Sequence, residues 1–232
     1  MNKKGFIFDL DGVIVDTAKY HFLAWKKLAN SIGIDFSEAQ NEQLKGVSRK
    51  RSLEKILKWG NKSLSEGEFK RLMGLKNDDY LSHINQMDTS EILPNVAQTL
   101  DFLKENKQAV ALGSASKNAV PILKKVDLLE QFEAIVDGND VSKAKPDPEV
   151  FLIGAKLLNK EPEDCIVFED SVAGIKAANT ANMISIGIGQ KEVLHEADYV
   201  FTDFTEMSQD FLKGLISGKN KKQTKRNVSI DN

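Results

Sequence analysis

With 232 residues, 41% of them hydrophobic and 28% charged, the chain is long enough to bury a substantial core, matches globular averages, and has no apolar run long enough for a membrane-spanning helix. Its 32 Lys and Arg against 34 Asp and Glu leave a formal net charge of -2, so the protein as a whole has no electrostatic reason to bind nucleic acid. A single cysteine, Cys165, excludes an intrachain disulfide and a thiolate metal cluster, and His21, His83 and His195 show no metal-ligand spacing.

The first predicted element is Phe6-Ile7-Phe8, a short apolar run that stops at Asp9-Leu10-Asp11-Gly12. Such a run reads as a buried parallel strand, and open α/β sheets bind ligands beyond the carboxyl ends of their strands. Two carboxylates two residues apart at that point permit one to act as nucleophile or metal ligand while the other exchanges protons. A plain Asp-Gly turn is the alternative for these residues alone. Because Asp9 and Asp11 break the apolar stretch at once, it cannot be a signal-peptide core, and a cytoplasmic location is expected.

Between Thr17 and Pro94 the periodicity is helical, with Phe22, Trp25, Leu28 and Ile32 on one face, then Leu53, Ile56 and Leu57, and later Phe69, Leu72 and Met73. Residues 17–93 therefore read as an all-helical insert. Aromatic and methionine residues at this spacing, Trp25 included, are expected to be core on periodicity alone. From Pro94 onward short apolar runs return at Val110-Ala111-Leu112, Ala134-Ile135-Val136, Ile166-Val167-Phe168 and Ile184-Ser185-Ile186. Helical patterns such as Val96, Leu100 and Leu103 separate them, the alternation of a parallel α/β sheet. The expected fold is a Rossmann-like α/β core, residues 1–16 and 94–217, with the helical insert between its first strand and the rest. Cys165 heads one of the strands and reads as an inert core residue. Residues 218–232 carry the basic run from Lys219 to Arg226 and read as a solvated, disordered tail, with a polyanion-binding arm as the alternative.

Three further patterns fall at strand ends. Ser114-Ala115-Ser116-Lys117-Asn118 joins hydroxyls and small residues to a helix start, suited either to cradling a phosphate with backbone N–H groups or to plain capping. Lys145 precedes Pro146, which stiffens the backbone that aims its ammonium; a surface loop lysine is the alternative. Glu169-Asp170-Ser171 ends another strand and suits a hard cation that also touches Asp9, or else caps the next helix.

Taken in order, Asp9-Leu10-Asp11, Ser114, Lys145 and Glu169-Asp170 resemble the four sequence motifs of the haloacid dehalogenase-like superfamily of phosphotransferases, and the helical insert resembles its cap domain. The match spans the chain except the basic tail. Residues 9–17, the loop Leu44-Lys45-Gly46-Val47-Ser48-Arg49, the run Lys76-Asn77-Asp78 and residues 114–118 are similar to the sugar phosphomutases of that superfamily. Two departures are that Gly113 stands where a small alanine is usual and that Arg51 makes the insert loop more basic.

The resemblance implies an Asp9 nucleophile, an Asp11 acid/base, and Ser114 and Lys145 on the transferring phosphoryl group. It implies magnesium held by Asp9, the Asp11 carbonyl and Asp170, with Glu169 alongside. It assigns substrate contacts to Thr17, His21, Trp25, Lys45, Gly46, Arg49, Ser52, Lys76, Ala115, Ser116 and Asn118. Without it, His21 reads as an ordinary helix histidine and Ser48-Arg49-Lys50-Arg51 as a solvated helix start. The implied reaction interconverts β-D-glucose 1-phosphate and glucose 6-phosphate through phospho-Asp9, with β-glucose 1,6-bisphosphate as intermediate and activator. The implied partners are small-molecule sugar phosphates, with no nucleic acid or membrane, and the implied state is a monomer. A sugar-phosphate phosphatase on the same fold is the nearest alternative. A non-catalytic sugar-phosphate-binding regulator is remote, since such relatives are expected to lose charged motif residues.

Overall fold

A computed structural model describes residues 3–222. Its strands are β1 (Gly5–Phe8), β2 (Ala109–Gly113), β3 (Ala134–Val136), β4 (Cys165–Glu169), β5 (Ile184–Ile188) and β6 (Tyr199–Phe201). They form one sheet in the order β3-β2-β1-β4-β5-β6, with every pairing parallel. The first strand lies between partners more than 100 residues later, with Phe8 opposite Leu112 on one side and Phe168 on the other.

Both faces of the sheet are covered, which is why its strands read as continuous apolar runs. One face presents Phe6, Phe8, Leu112 and Phe168 to α5 (Val96–Glu105), α6 (Ala119–Lys125) and α9 (Gln209–Ile216). The other presents Ile7, Ala111 and Val167 to α7 (Glu149–Leu157) and α8 (Val172–Thr180). Phe6, Ile7 and Phe8 are fully buried, and Phe8 stacks on Phe168 at 4.5 Å between centroids. Each such side chain contributes about 1.5–3 kcal/mol by leaving water. Cys165 is buried at the head of β4, and burial pushes its thiol up to about 12.

The insert consists of α1 (Ala18–Ser31), α2 (Glu38–Glu42), α3 (Arg49–Trp59) and α4 (Glu66–Ile84). Serines start three of them: Ser37 in a reciprocal capping box with Gln40, Ser48 and Ser65. Trp25, Leu28, Phe36, Leu53, Ile56 and Leu72 form a separate apolar cluster among these helices. At the base of the insert, Ala24, Tyr80 and Ile84 join the cluster of the sheet. The outgoing and returning chains meet there. Val15 bridges antiparallel to Ile92, Leu93 N donates to Ile14 O at 3.0 Å, and Asp16 N donates to Glu91 O at 3.0 Å.

The sixth strand has no counterpart in the sequence reading. Tyr199-Val200-Phe201 is three half-buried residues at the sheet edge. Residues 218–222, the start of the expected tail, make contacts with the core. Lys222 Nζ donates to Met183 O at 2.6 Å and Asn179 Oδ1 at 3.2 Å, and Tyr199 Oη donates to Lys221 O at 2.9 Å. The remainder of the expected tail, 223–232, lies outside the described residues. Among the described residues no helix is long and apolar enough to cross a membrane.

Candidate active site

Asp9 extends β1 by one residue, its N–H donating to Phe168 O at 3.0 Å. The chain then turns at Gly12, whose φ of +82° favours glycine, and a Cβ there would strike the Asp170 carboxylate. The turn is therefore pressed against the end of β4, which brings Asp9, Glu169 and Asp170 together with one oxygen of each within 4.8 Å of the others. Lys145 is buried in this group rather than exposed on a loop. Its Nζ donates to Asp9 Oδ1 at 2.6 Å, to Gly113 O at 3.0 Å and to Glu169 Oε1. The other Glu169 oxygen accepts from Ser171 N at 3.0 Å and Ser171 Oγ at 2.8 Å. Ser171 also caps α8 through Gly174 N, so capping and site-building coexist in this segment.

The electrostatics of this cluster are those of a site short of positive charge. Burial pushes the Asp9 carboxyl well above its usual range; Lys145 opposes this, while Glu169, Asp11 and Asp170 add to it. Burial likewise takes Asp170 to about 7, against the Lys45 ammonium and with help from Glu169. An all-oxygen donor set, buried and under-compensated, fits a hard divalent cation. Asp9 and Asp170 are the carboxylates best placed to hold it, because both Glu169 oxygens are already engaged.

Asp11 lies past the strand in the turn bridged to Val15 and has different neighbours. Thr17 donates its hydroxyl hydrogen to Asp11 Oδ1, Tyr80 Oη stands 3.5 Å from the same oxygen, and His21 Nε2 lies 3.6 Å away. Desolvation acts to raise the Asp11 carboxyl, but His21, Thr17 and Lys76 outweigh it and hold it below its ordinary value. On the far side of the imidazole, His21 Nδ1 is 2.8 Å from Lys76 Nζ. With the ammonium donating there, the Nε2–H faces Asp11.

Core and insert enclose a cavity of about 1150 Å³. Asp9, Asp11, Ser114, Ala115, Ser116, Asn118, Lys145 and Asp170 line it from the core; His21, Trp25, Lys45, Gly46, Arg49, Ser52 and Lys76 line it from the insert. Gly46, with φ +67°, lets the insert loop rest on the core where a Cβ would run into Ser171 Oγ. Lys45 Nζ stands 3.3 Å from Asp170 Oδ2 across the same junction. Ser114 is fully buried; its Oγ accepts from Ser116 N at 3.1 Å, and Ser116 Oγ accepts from Asn118 N at 3.2 Å. This is a folded hydroxyl-and-amide loop rather than a serine helix cap. Trp25 serves both readings, since it belongs to the insert core and its ring lies 4.9 Å beneath Lys76 Nζ. Two expected contacts are not on the cavity wall: Thr17 is buried with its hydroxyl committed to Asp11, and Glu169 is sealed behind Lys145.

Sequence reasoning missed Tyr80, named Asn77 only within the run Lys76-Asn77-Asp78, and read Ser171 as a cap without its bonds to Glu169. Tyr80 follows Lys76 by one helical turn and stacks on His21 at 4.2 Å, a placement that i, i+4 spacing on α4 would have suggested. Asn77 Oδ1 accepts from Asn118 Nδ2 at 3.1 Å, joining insert to core across 41 residues, and nothing local signals it.

Residues 3–182 match the family model described as haloacid dehalogenase-like hydrolase. The chain is 42% identical over 211 residues to the β-phosphoglucomutase of Bacillus subtilis, covering 90% of this chain and 93% of that one. It is 31% identical over 179 residues to a phosphorylated carbohydrates phosphatase of Thermotoga maritima, covering 76% and 81%. A crystal structure of β-phosphoglucomutase from Clostridium difficile superposes with a TM-score of 0.89 at 42% identity, over 94% of this chain and 99% of that one.

Proposed function

The chain belongs to the haloacid dehalogenase-like hydrolase family, and we propose that it is a phosphotransferase interconverting β-D-glucose 1-phosphate and glucose 6-phosphate. The geometric observation that carries this reading is Lys76. Its ammonium is almost wholly buried between the Trp25 and Tyr80 rings, and burial together with Arg49 takes it down to about 7. Among the described residues no carboxylate pairs with it, and its nearest hydrogen-bond partner is the His21 ring. Arg49 and Lys76 thus form a second cationic pole on the cavity wall, beside the one that Lys145 and Ser114 make around Asp9. Two poles suit a sugar carrying two phosphates, whereas hydrolysis of a monophosphate requires one.

In this reading an Asp9 oxygen attacks the C1 phosphorus of β-glucose 1,6-bisphosphate in line, the bond from phosphorus to the C1 oxygen breaks, and Asp11 donates a proton to that oxygen, which leaves phospho-Asp9 and glucose 6-phosphate. In the return step Asp11 takes the proton from the other sugar hydroxyl as that oxygen attacks phospho-Asp9. β-Glucose 1,6-bisphosphate is the species between the half-reactions, and each full cycle restores Asp11. Lys145 and the amides of the 114–118 loop face the equatorial oxygens, where charge spreads in the transition state. Magnesium bound by Asp9, Asp170 and the Asp11 carbonyl, with Glu169 in support, would supply the charge that lets an anionic nucleophile face an anionic phosphoryl group. His21 and Lys76 lie on the insert and Asp11 on the core, so docking of the insert both excludes water and completes the environment of the acid/base. In this reading the protein is a cytoplasmic monomer acting on small sugar phosphates.

The deciding assay combines the protein, magnesium, β-glucose 1-phosphate and a trace of bisphosphate, and compares glucose 6-phosphate formed with phosphate released. Excess free phosphate would favour the second reading, a sugar-phosphate phosphatase, which the 31% identical Thermotoga relative supports. Arg49→Ala sharpens the distinction. Loss of one charge-assisted grip on the remote phosphate is expected to cost about 1.5–3 kcal/mol, roughly one to two powers of ten in mutase turnover. Hydrolysis of acetyl phosphate, which has no second phosphate, should fall much less. Equal losses in both reactions would place Arg49 in the fold or the general chemistry instead.

A further inference from the structure

We propose that Glu91 is a positioning residue, a hinge clamp that fixes the angle of the helical insert on the core and so places His21 against Asp11; the functional consequence rests on the phosphotransfer reading above. The main chain of Glu91 belongs to the core side of the hinge. Its carbonyl accepts from Asp16 N at 3.0 Å, the next residue, Ile92, bridges Val15, and Leu93 N donates to Ile14 O at 3.0 Å. Its side chain leaves that zipped pair of segments and grips the insert. Glu91 Oε2 accepts from Lys19 Nζ at 2.7 Å and Oε1 accepts from the Tyr20 hydroxyl, both in the first turn of α1. Lys19 Nζ also lies 3.3 Å from Asp16 Oδ2.

Through Tyr20 the clamp reaches a second helix. The Tyr20 ring stacks on His83, in the last turn of α4, with centroids 5.3 Å apart and planes 8° from parallel. One carboxylate tied to the core therefore holds the ends of both α1 and α4 that lie at the hinge. His21, the residue after Tyr20, carries the contacts to Asp11 at 3.6 Å and to Lys76 of α4 at 2.8 Å. A rotation of α1 about this point moves His21 and Lys76 together, away from or towards Asp11. With 19 residues, α4 is about 28 Å long, so a small change of angle at its hinge end displaces the far end by ångströms.

The strength of the clamp suits a joint that must also open. Lys19 is 45% exposed and Glu91 15%, so their pair is partly screened and breakable, unlike the Asp9–Lys145 pair. Desolvation opposes ionisation of Glu91, yet the bonds from Lys19 and Tyr20 keep its carboxyl below the usual range. Neither Glu91, Lys19 nor Tyr20 lines the cavity, so an effect on the reaction must travel through the angle of the insert.

The test uses Glu91→Ala, with Tyr20→Phe and Lys19→Met removing one arm each, and Lys3→Gln as a control that breaks the exposed Lys3–Glu133 pair, which lies beyond the opposite end of β1 from the hinge. Two quantities are read on the full chain: the ratio of glucose 6-phosphate formed to phosphate released, and amide hydrogen exchange over residues 18–21 without substrate. Glu91→Ala is expected to lower the ratio about fivefold to tenfold and to speed that exchange by a similar factor, with each single-arm variant between it and the parent and the control unchanged. Exchange in the strands of the sheet should not change, which separates a loosened hinge from a loosened fold. If the parent makes no glucose 6-phosphate, the phosphomutase reading fails and the exchange measurement alone decides the clamp. Parental exchange at 18–21 in Glu91→Ala, or the same loss in Lys3→Gln, would overturn it. Should Glu91→Ala not fold, parental values in both single-arm variants would do the same.

Discussion

Asp9→Asn is expected to lose turnover by several powers of ten while unfolding in metal-free buffer at a temperature no lower than that of the parent. The loss of activity follows because an amide neither attacks phosphorus to form an acyl phosphate nor supplies a charged oxygen to a cation. The retained stability follows from the surroundings of Asp9. Lys145 keeps Glu169 Oε1 and, at 3.0 Å, Gly113 O when the Asp9 charge goes, so no buried ammonium is stranded. Asp9, Glu169 and Asp170 crowd together, and removal of one carboxylate from a buried cluster relieves like-charge repulsion. Thermal unfolding with and without magnesium, alongside the mutase assay, checks both parts, and the variant should gain less stability from magnesium than the parent. Near-parental turnover would end the aspartyl-phosphate mechanism. A collapse of stability with loss of activity would make Asp9 a structural partner of Lys145.

What the sequence made legible and what it hid divide along the range of the interactions. β1, β2, β4 and β5 were readable because each lies inside the sheet, is covered on both faces and is therefore apolar along its length. The two edge strands are three residues each and mostly half-buried; Ala134-Ile135-Val136 was read as a strand and the equally apolar Tyr199-Val200-Phe201 was passed over. Asp9, Ser114 and Asp170 stand out in the sequence because each follows a strand, and Lys145 because it precedes a proline. Lys76 entered only through the family resemblance, and its 2% exposure arises because His21, Trp25 and Tyr80 close around it from separate turns of two helices. The hinge was invisible for the same reason: Glu91 meets Lys19 and Tyr20 across about 70 residues, and no local rule links them. Lys222 belongs with these cases. Composition makes it part of a polar tail, whereas its ammonium reaches Met183 O.

Asp11→Asn is expected to separate binding from chemistry. The substitution preserves size and leaves an oxygen to accept from the Thr17 hydroxyl, and the backbone carbonyl proposed to face magnesium is untouched. It removes the proton-transfer function, a contribution of ~10²–10⁴ in rate. Transfer between phospho-Asp9 and a sugar oxygen should suffer most, because a sugar alkoxide is a poor leaving group without a proton. Cleavage of acetyl phosphate should suffer least, because acetate leaves without one. Calorimetric titration with magnesium alone, and then with glucose 6-phosphate in its presence, is expected to give affinities within a few-fold of the parent. If those affinities vanish with the activity, Asp11 organises the site and does not move protons in it. If sugar and acetyl phosphates lose rate equally, the acid acts before the leaving group matters. The contacts of Asp11 favour proton transfer: Thr17, Tyr80 and His21 surround one carboxylate oxygen, and two of those three residues lie on the insert helices α1 and α4. The environment of the proposed acid/base is therefore complete only when the insert is docked, which in the proposed mechanism is also when water is kept from the phosphoenzyme.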